Sequence, residues 1–270
     1  MISDFPPHAE YLAFAETLAD QSRKILLAVK GTEPEIDIKS DASFVTNTDK
    51  AVETALRALI QETYPDHGIL GEEFNNVKID ADFVWVLDPI DGTAAFVAGI
   101  PVYGTLIGLA WRGQPYVGVI DHPVTLDRWT GVSGIMAAHN GTPIQVRPCA
   151  SVENAYTTCS NADFMNETER ARFDVLRKRV QYVQYGGSCY SYGVLASGRT
   201  DLAIDSGLDT FDVYAPAAVI QGAGGYVTDW NGNPLKLNMA GHVIAAGDKA
   251  RLAEAVTYLR EESDISLSNS

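Results

Sequence analysis

Two aspartates, Asp88 and Asp91, stand three residues apart in the string Trp85-Val86-Leu87-Asp88-Pro89-Ile90-Asp91-Gly92-Thr93. Residues 83–87 are apolar, with aromatic and β-branched members, and read as a buried strand. Pro89 cannot donate to a ladder, so the strand is expected to stop at Asp88. That places two carboxylates on a Gly-containing turn at a strand's end, where open α/β sheets bind ligands. Such hard oxygen donors suit Mg2+, which takes carboxylate, carbonyl and water ligands. An Asp-Gly pair alone is most often only a surface turn. Two further acidic positions favour chemistry over that reading: Glu72 follows a short apolar segment and Gly71, and Asp212 opens a run of small apolar residues. Taken singly, Glu72 is explained by solvation and Asp212 by helix capping. Those bland readings weaken when the four positions are taken together.

These side chains need elements to hold them. Residues 9–30 carry a 3.6-residue apolar stripe and read as a helix, ended by Gly31-Thr32-Glu33-Pro34. A short extended piece is expected at 36–39. A second helix is expected over 49–62, with Val52, Leu56, Leu59 and Ile60 on one face, and Thr46 with Asp49 as a capping pair. Residues 104–111 and 116–120 form a hairpin across Arg112-Gly113-Gln114-Pro115. A second hairpin is expected over 128–133 and 135–138, then a strand over 143–146. In the second half, strands are expected at 155–159, 201–205, 226–228 and 243–246. Helices are expected at 167–180, 190–197, 212–222 and 249–261, and a frayed end at 262–270. Tyr185-Gly186-Gly187-Ser188-Cys189 is a glycine loop opening the second of these helices.

The chain has 270 residues, 46% of them hydrophobic, and a formal net charge of -15 from 35 acidic and 20 basic residues. This supports a large core in one big domain or two closely packed ones. No basic footprint offsets the acidity, so nucleic acid is not expected as a partner. Neither a membrane-spanning run nor a basic amphipathic helix is visible. The three cysteines, Cys149, Cys159 and Cys189, have no metal-ligand spacing and read as reduced thiols in a cytoplasmic protein. The five histidines include no pair at i,i+4, which excludes a zinc site of the His-Glu-x-x-His type.

The chain resembles the inositol monophosphatase superfamily of lithium-sensitive, Mg2+-dependent phosphomonoesterases. The resemblance rests on Gly71-Glu72-Glu73, Leu87-Asp88-Pro89-Ile90-Asp91-Gly92-Thr93, Phe211-Asp212-Val213-Tyr214-Ala215-Pro216-Ala217 and Gly222-Ala223-Gly224-Gly225. It implies an α/β fold: a layered α-β-α-β-α sandwich with an α+β N-terminal half (1–150) carrying most metal ligands. An α/β C-terminal half (151–270) would bring the substrate loop and Asp212. It implies Glu72, Asp88, Asp91, Asp212 and the Ile90 carbonyl as ligands for two or three Mg2+. Asp49 and Thr93, with Glu72, would orient and activate the attacking water. Lys39 matches a family lysine. Gly92 and Thr93 would offer N–H groups to the phosphate, Gly187, Ser188 and Cys189 would border the substrate, and Asp205 would meet its hydroxyl or amino groups. Family members are commonly homodimers. The physics agrees, because paired Mg2+ ions can activate water and stabilise a leaving oxygen, and a loose phosphoryl transition state relies on positioning and charge.

Within the family the chain looks closest to the histidinol-phosphate phosphatase branch, on Cys189-Tyr190-Ser191-Tyr192-Gly193, Leu195-Ala196-Ser197-Gly198 and Arg128-Trp129-Thr130-Gly131-Val132. The substrate then expected is L-histidinol phosphate, in histidine biosynthesis. Three departures bear on it. That branch commonly has an acidic residue where Ser188 stands, Lys-Ser where Ala94-Ala95 stand, and glutamate at the Asp205 position. An inositol or other polyol or sugar phosphate is the alternative substrate. A non-catalytic scaffold is the reading from another class; it should have lost a carboxylate or the Asp-Thr pair, and all are present. A nucleotide-bisphosphate phosphatase would carry insertions absent here.

Overall fold

The apolar stripe of the N-terminal segment drives α1 (His8–Ala28), which buries Ala15, Leu18, Ala19 and Leu26. The chain is described by a computed structural model at residues 6–32, 35–38, 44–238 and 240–260. Lys39, residues 33–34 of the expected helix stop, and residues 262–270 lie outside these. A short antiparallel pair, β1 (Ile36–Ile38) and β2 (Phe44–Thr46), leads into α2 (Asn47–Thr63). Thr46 caps α2 with its hydroxyl, and the Asp49 carboxylate reaches back to the Thr46 N–H, so the expected capping pair forms.

Next come β3 (Gly68–Gly71), β4 (Phe83–Asp91), α3 (Thr93–Ala98), β5 (Gly104–Trp111), β6 (Gln114–His122), β7 (Asp127–Val132), β8 (Met136–His139) and β9 (Thr142–Pro143). The strands form one seven-stranded sheet in chain order, β3 parallel to β4 and the rest antiparallel. Arg112 and Gly113 both have positive φ, the conformation of a two-residue hairpin turn whose twist matches its strands. The second half holds β10 (Tyr156–Cys159), α4 (Glu167–Arg177), β11 (Tyr182–Tyr185), α5 (Tyr190–Ala196), β12 (Leu202–Asp209), α6 (Thr210–Gly222), β13 (Tyr226–Thr228), β14 (Ala240–Ala246) and α7 (Lys249–Arg260). Its five-stranded sheet runs β11-β10-β12-β14-β13.

Three apolar clusters show the layering. Tyr11, Leu18, Val52, Leu56 and Ile60 pack α1 and α2 on one face of the first sheet, against Trp85, Leu87, Ile107 and Val119. Tyr214, Ala217, Val219 and Leu195 place α6 and α5 between the two sheets, against Val86, Leu106, Ala203 and Val243. Phe173, Leu176, Leu252 and Val256 cover the far face of the second sheet with α4 and α7. The order is the expected α-β-α-β-α sandwich. Its central layer touches both sheets, so both halves share one core.

A row of glycines sets the height of α6 over the first sheet. Gly108, Gly118 and Gly131 are neighbours across β5, β6 and β7. A Cβ on Gly118 would collide with the Ala215 carbonyl, and one on Gly131 would come within 2.5 Å of the Val219 Cα. Bare backbone here lets the helix carrying Asp212 lie directly on the strands that follow β4.

Several boundaries differ from expectation. β4 does not stop at Asp88 but continues to Asp91. Its register with β5 breaks between Asp88 and Asp91, so Pro89 sits in a bulge where no ladder N–H is required. The strand expected over 143–146 ends at Pro143, because the Val146 N–H turns away to the Ala223 carbonyl at the end of α6. Thr210, not Asp212, begins α6, and Asp212 is its third residue. α4 ends at Arg177, and β11 falls where no strand was expected. β12 runs four residues past Asp205 through a register shift.

Candidate metal centre

Asp88 and Asp91 flank the bulge of β4, and α6 delivers Asp212 from the central layer. Carboxylate oxygens of these three lie within 4.8 Å of one another. The bulge is pinned from α1: the Thr105 hydroxyl donates to the Pro89 carbonyl at 2.8 Å and shares a 2.5 Å hydrogen bond with Ser22. Asp212 is oriented by its own helix start, where Oδ2 accepts the Asp209 N–H at 2.6 Å. Asp91 is held by the second half, its Oδ2 accepting the Cys189 N–H at 2.6 Å. Asp88 is 1% exposed, and its Oδ1 has no hydrogen-bond partner. A buried carboxylate oxygen without a partner is costly, and such groups persist where an ion completes them. Three hard oxygen donors converging on one point, one of them orphaned, fit a divalent cation.

The charges agree. Burial pushes the Asp88 carboxyl well above its usual range, and the charges of Glu72, Asp91, Asp212 and Asp49 push it further. Asp212 is raised well above its ordinary value by burial and then by Asp91. Asp91 is raised by burial, against the lowering effect of its bonds to Cys189. Like charges this close resist full ionisation unless a cation is present, and a cation reverses that logic.

The other expected residues gather around the three in different ways. Glu72 lies outside the close triad, yet its charge is felt by both Asp88 and Asp212. The Ile90 side chain is fully buried, and its carbonyl accepts the Thr93 hydroxyl at 3.0 Å. Gly92 is left-handed (φ 79°) and precedes α3, which Thr93 begins. Asp49 is fully buried; its Oδ2 accepts the Thr46 N–H and hydroxyl at 2.8 and 2.6 Å, and its Oδ1 has no partner. No hydrogen bond joins Asp49 to Thr93 among the described residues.

Sequence reasoning missed the device that fixes the Glu72 loop. Glu53, fully buried on α2, accepts the Glu73 N–H at 2.8 Å and the Arg57 guanidinium at 2.7 Å. Arg57 in turn donates to the carbonyls of Phe74 and Asn75. The available signal was a Glu-Arg pair at i,i+4 beside the apolar positions Val52 and Leu56.

The expected substrate loop runs through three successive left-handed residues, Gly186, Gly187 and Ser188 (φ 81°, 106° and 46°), to Cys189. A Cβ on Gly92 would lie 2.6 Å from the Ser188 hydroxyl, so this loop covers the turn after Asp91. Asp205 is 3% exposed; it accepts the Ser160 N–H at 2.6 Å and the Tyr192 hydroxyl at 2.7 Å. Both of its oxygens are thus engaged by protein groups.

Behind Cys189, His122 is fully buried, with Nδ1 2.9 Å from the Tyr103 carbonyl and Nε2 3.5 Å from the Cys189 thiol. Burial pushes the imidazole down from 6.5 to about 4. Between those values the unfolded chain binds a proton that the folded protein refuses, so stability rises with pH across the window and is lost as pH falls through it. The shift corresponds to roughly 3 kcal/mol. At fixed Mg2+, the stability difference between wild type and His122→Gln should shrink by about that amount from neutral pH to pH ~4. A pH-independent difference in denaturant unfolding would show an ordinary, hydrated imidazole.

The model of the inositol monophosphatase family matches residues 8–264. The chain is 38% identical over 247 residues to the bifunctional phosphatase IMPL2, chloroplastic, of Arabidopsis thaliana, covering 88% of this chain and 71% of that protein. It is 30% identical over 236 residues to a histidinol-phosphatase of Chlorobaculum parvum, covering 87% and 91%. Among solved structures it is similar to an inositol monophosphatase from Zymomonas mobilis, with a TM-score of 0.86 at 35% identity, covering 95% of this chain and 100% of that one.

Proposed function

The chain belongs to the inositol monophosphatase family and is a phosphoric monoester hydrolase, and from that premise we propose that it uses Mg2+ to hydrolyse L-histidinol phosphate. The observation that carries the metal reading is the buried carboxylate triad with its orphaned Asp88 oxygen. Asp88, Asp91, Asp212, Glu72 and the Ile90 carbonyl would hold two or three ions. Bound there, Mg2+ supplies charge neutralisation for the phosphoryl oxygens and a more acidic water.

The remaining work falls to the chain's own groups. Thr93, with Asp49 behind it, orients the attacking water, and the N–H groups of Gly92 and Thr93 face the phosphate. Gly187, Ser188 and Cys189 border the alcohol. No serine or cysteine nucleophile is required, and the Cys189 thiol is unsuited to the role, since burial and the neighbouring Asp91 push it well above its usual range. We assign the metal-bearing half to 1–150 and the substrate-loop half to 151–270. A cytoplasmic homodimer is part of the same reading; no helix among the described residues is long and apolar enough to cross a membrane.

Likeness to the Chlorobaculum histidinol-phosphatase and the residues from Cys189 to Gly198 support the substrate. A neutral polyol phosphate such as inositol monophosphate is favoured instead by Ser188, which offers an ammonium no charge, and by the Zymomonas neighbour. The test is phosphate release with Mg2+ over histidinol phosphate, inositol monophosphate and sugar phosphates, compared by kcat/KM. Histidinol phosphate should lead. Ser188→Asp should widen that lead about tenfold, since one charge-assisted bond is worth roughly 1–3 kcal/mol. Aspartate also tolerates the left-handed backbone there. Faster turnover of inositol monophosphate by wild type would reassign the substrate and leave the phosphatase reading intact.

A further inference from the structure

The glycine of Gly71-Glu72-Glu73 is not there for backbone freedom, since its φ is not positive. It is there for clearance. A Cβ on Gly71 would collide with the Glu53 carboxylate and lie 2.8 Å from the Arg57 guanidinium. Those two side chains reach from α2 to a segment with no ladder of its own. The base of the loop is closed where Ile69 and Val77 exchange two backbone hydrogen bonds, both of 2.8 Å. Between them, residues 72–76 belong to no helix or strand. The Glu72 N–H donates to the Leu87 carbonyl at 3.3 Å, beside Asp88 on β4. The next N–H, that of Glu73, donates to Glu53 at 2.8 Å, and Arg57 donates to the Phe74 and Asn75 carbonyls at 3.1 and 3.2 Å. Glu72 is thus held between the strand that carries Asp88 and the helix that carries Asp49. Glu53 lies one turn after Asp49 on that helix, and both are fully buried.

We propose that Glu53 and Arg57 are positioning residues that hold Glu72 at the spacing a small divalent cation requires, and so favour Mg2+ over Ca2+ in this site. Mg2+ demands short bonds in near-ideal octahedral geometry, whereas Ca2+ accepts more ligands in a flexible arrangement. A carboxylate whose own N–H and the next one are both tied down suits the first ion. The pair is an unlikely choice for stability alone, because burying two charges costs about as much as their attraction returns, and apolar residues of similar volume would hold α2 as well. What the pair adds is placement. Its Oε1 faces Arg57 at 2.7 Å and its Oε2 faces the Glu73 N–H, so the loop has one position in which both oxygens are satisfied. Groups behind a metal ligand commonly change metal affinity about 10- to 100-fold when removed. This role rests on the metal-dependent reading of the site, but not on which alcohol is released.

The deciding measurement is Mg2+ and Ca2+ binding by calorimetry on the full chain, for wild type, Glu53→Gln, Arg57→Lys and Phe173→Leu. Glutamine replaces one of the two accepting oxygens with a donor, so it can serve Glu73 or Arg57 but not both. Lysine keeps a charge against Glu53 but lacks the fork that reaches two carbonyls, and it guards against a fold lost in Glu53→Gln. Glu53→Gln should bind Mg2+ about tenfold or more weakly. Its Ca2+ affinity should stay within about threefold of wild type, because that ion tolerates a displaced ligand. Arg57→Lys should move the Mg2+ to Ca2+ ratio the same way by a smaller factor. Phe173→Leu opens a cavity under α4 in the outer layer; it should lose stability and keep both affinities. A folded Glu53→Gln with wild-type Mg2+ affinity overturns the proposal. So does an equal loss for both cations, which would make the pair a support for the fold alone. If Glu53→Gln does not fold, an unmoved ratio in Arg57→Lys overturns it as well. Those results would leave the metal-dependent reading standing, whereas a wild type that binds no Mg2+ would sink that reading and the proposal with it.

Discussion

Asp91→Asn should abolish Mg2+ binding detectable by calorimetry and lower phosphate release on the order of 10³-fold or more, because the site loses one full ligand charge. The variant suits the question because it changes charge and little else. An asparagine carbonyl oxygen can still accept the Cys189 N–H that Asp91 accepts at 2.6 Å, so the loop keeps its anchor. Folding should not suffer. In the metal-free protein Asp91 adds negative charge beside Asp212, and burial already raises both carboxyls. Removing that charge should leave the melting temperature without Mg2+ equal to wild type or higher. Added Mg2+ should then raise the melting temperature of wild type, which it binds, and leave that of the variant unmoved. The wild type should lose activity with a chelator and regain it with Mg2+. Full phosphate release by a chelated, metal-free enzyme would end the metal hypothesis, whatever the variant does.

The candidate ligands were legible for a physical reason. Asp88, Asp91, Glu72 and Asp212 are carboxylates set at the edges of apolar segments, where a solvated charge has no need to be. The elements were legible because the helices carry 3.6-residue stripes and the hairpins carry turn residues, whereas their layering into a sandwich followed from the resemblance to the family. Less legible was everything that depends on pairing between distant segments. Pro89 looked like the end of a strand, since its missing N–H is local information. The bulge opposite β5 that tolerates it is not. Asp49 was readable as the partner of Thr46, three residues away, and that bond is formed. Asp205 matched a position that meets substrate, and nothing local revealed that Ser160 and Tyr192 occupy its oxygens. The Glu53–Arg57 pair was hidden because charged residues at i,i+4 usually decorate a solvated helix face. Here the glutamate is fully buried and secures the chain after Glu72.

Thr93→Ala should reduce kcat by roughly 10²–10⁴ while leaving Mg2+ affinity within about threefold, the range expected when a group that handles a proton is removed. Thr93 follows the left-handed Gly92 and begins α3, which fixes its side chain relative to Asp91. Its hydroxyl donates its one proton to the Ile90 carbonyl at 3.0 Å and keeps its lone pairs to accept from a water. Asp49 stands in reserve: Thr46 engages Oδ2, Oδ1 is unbonded, and its charge is felt at Asp88. Thr93→Ser retains the hydroxyl and should restore most of the rate. Thr93→Val retains the shape without the hydroxyl and should match alanine. Those two variants separate proton handling from packing. Asp49→Asn should lower kcat in the same direction, and combining it with Thr93→Ala should cost little beyond Thr93→Ala alone, since residues that act as one unit are far from additive. Additive losses would mean that Asp49 works only through the capping of α2, and a Thr93→Ala enzyme with wild-type turnover would reduce Thr93 to a structural support for the Ile90 carbonyl.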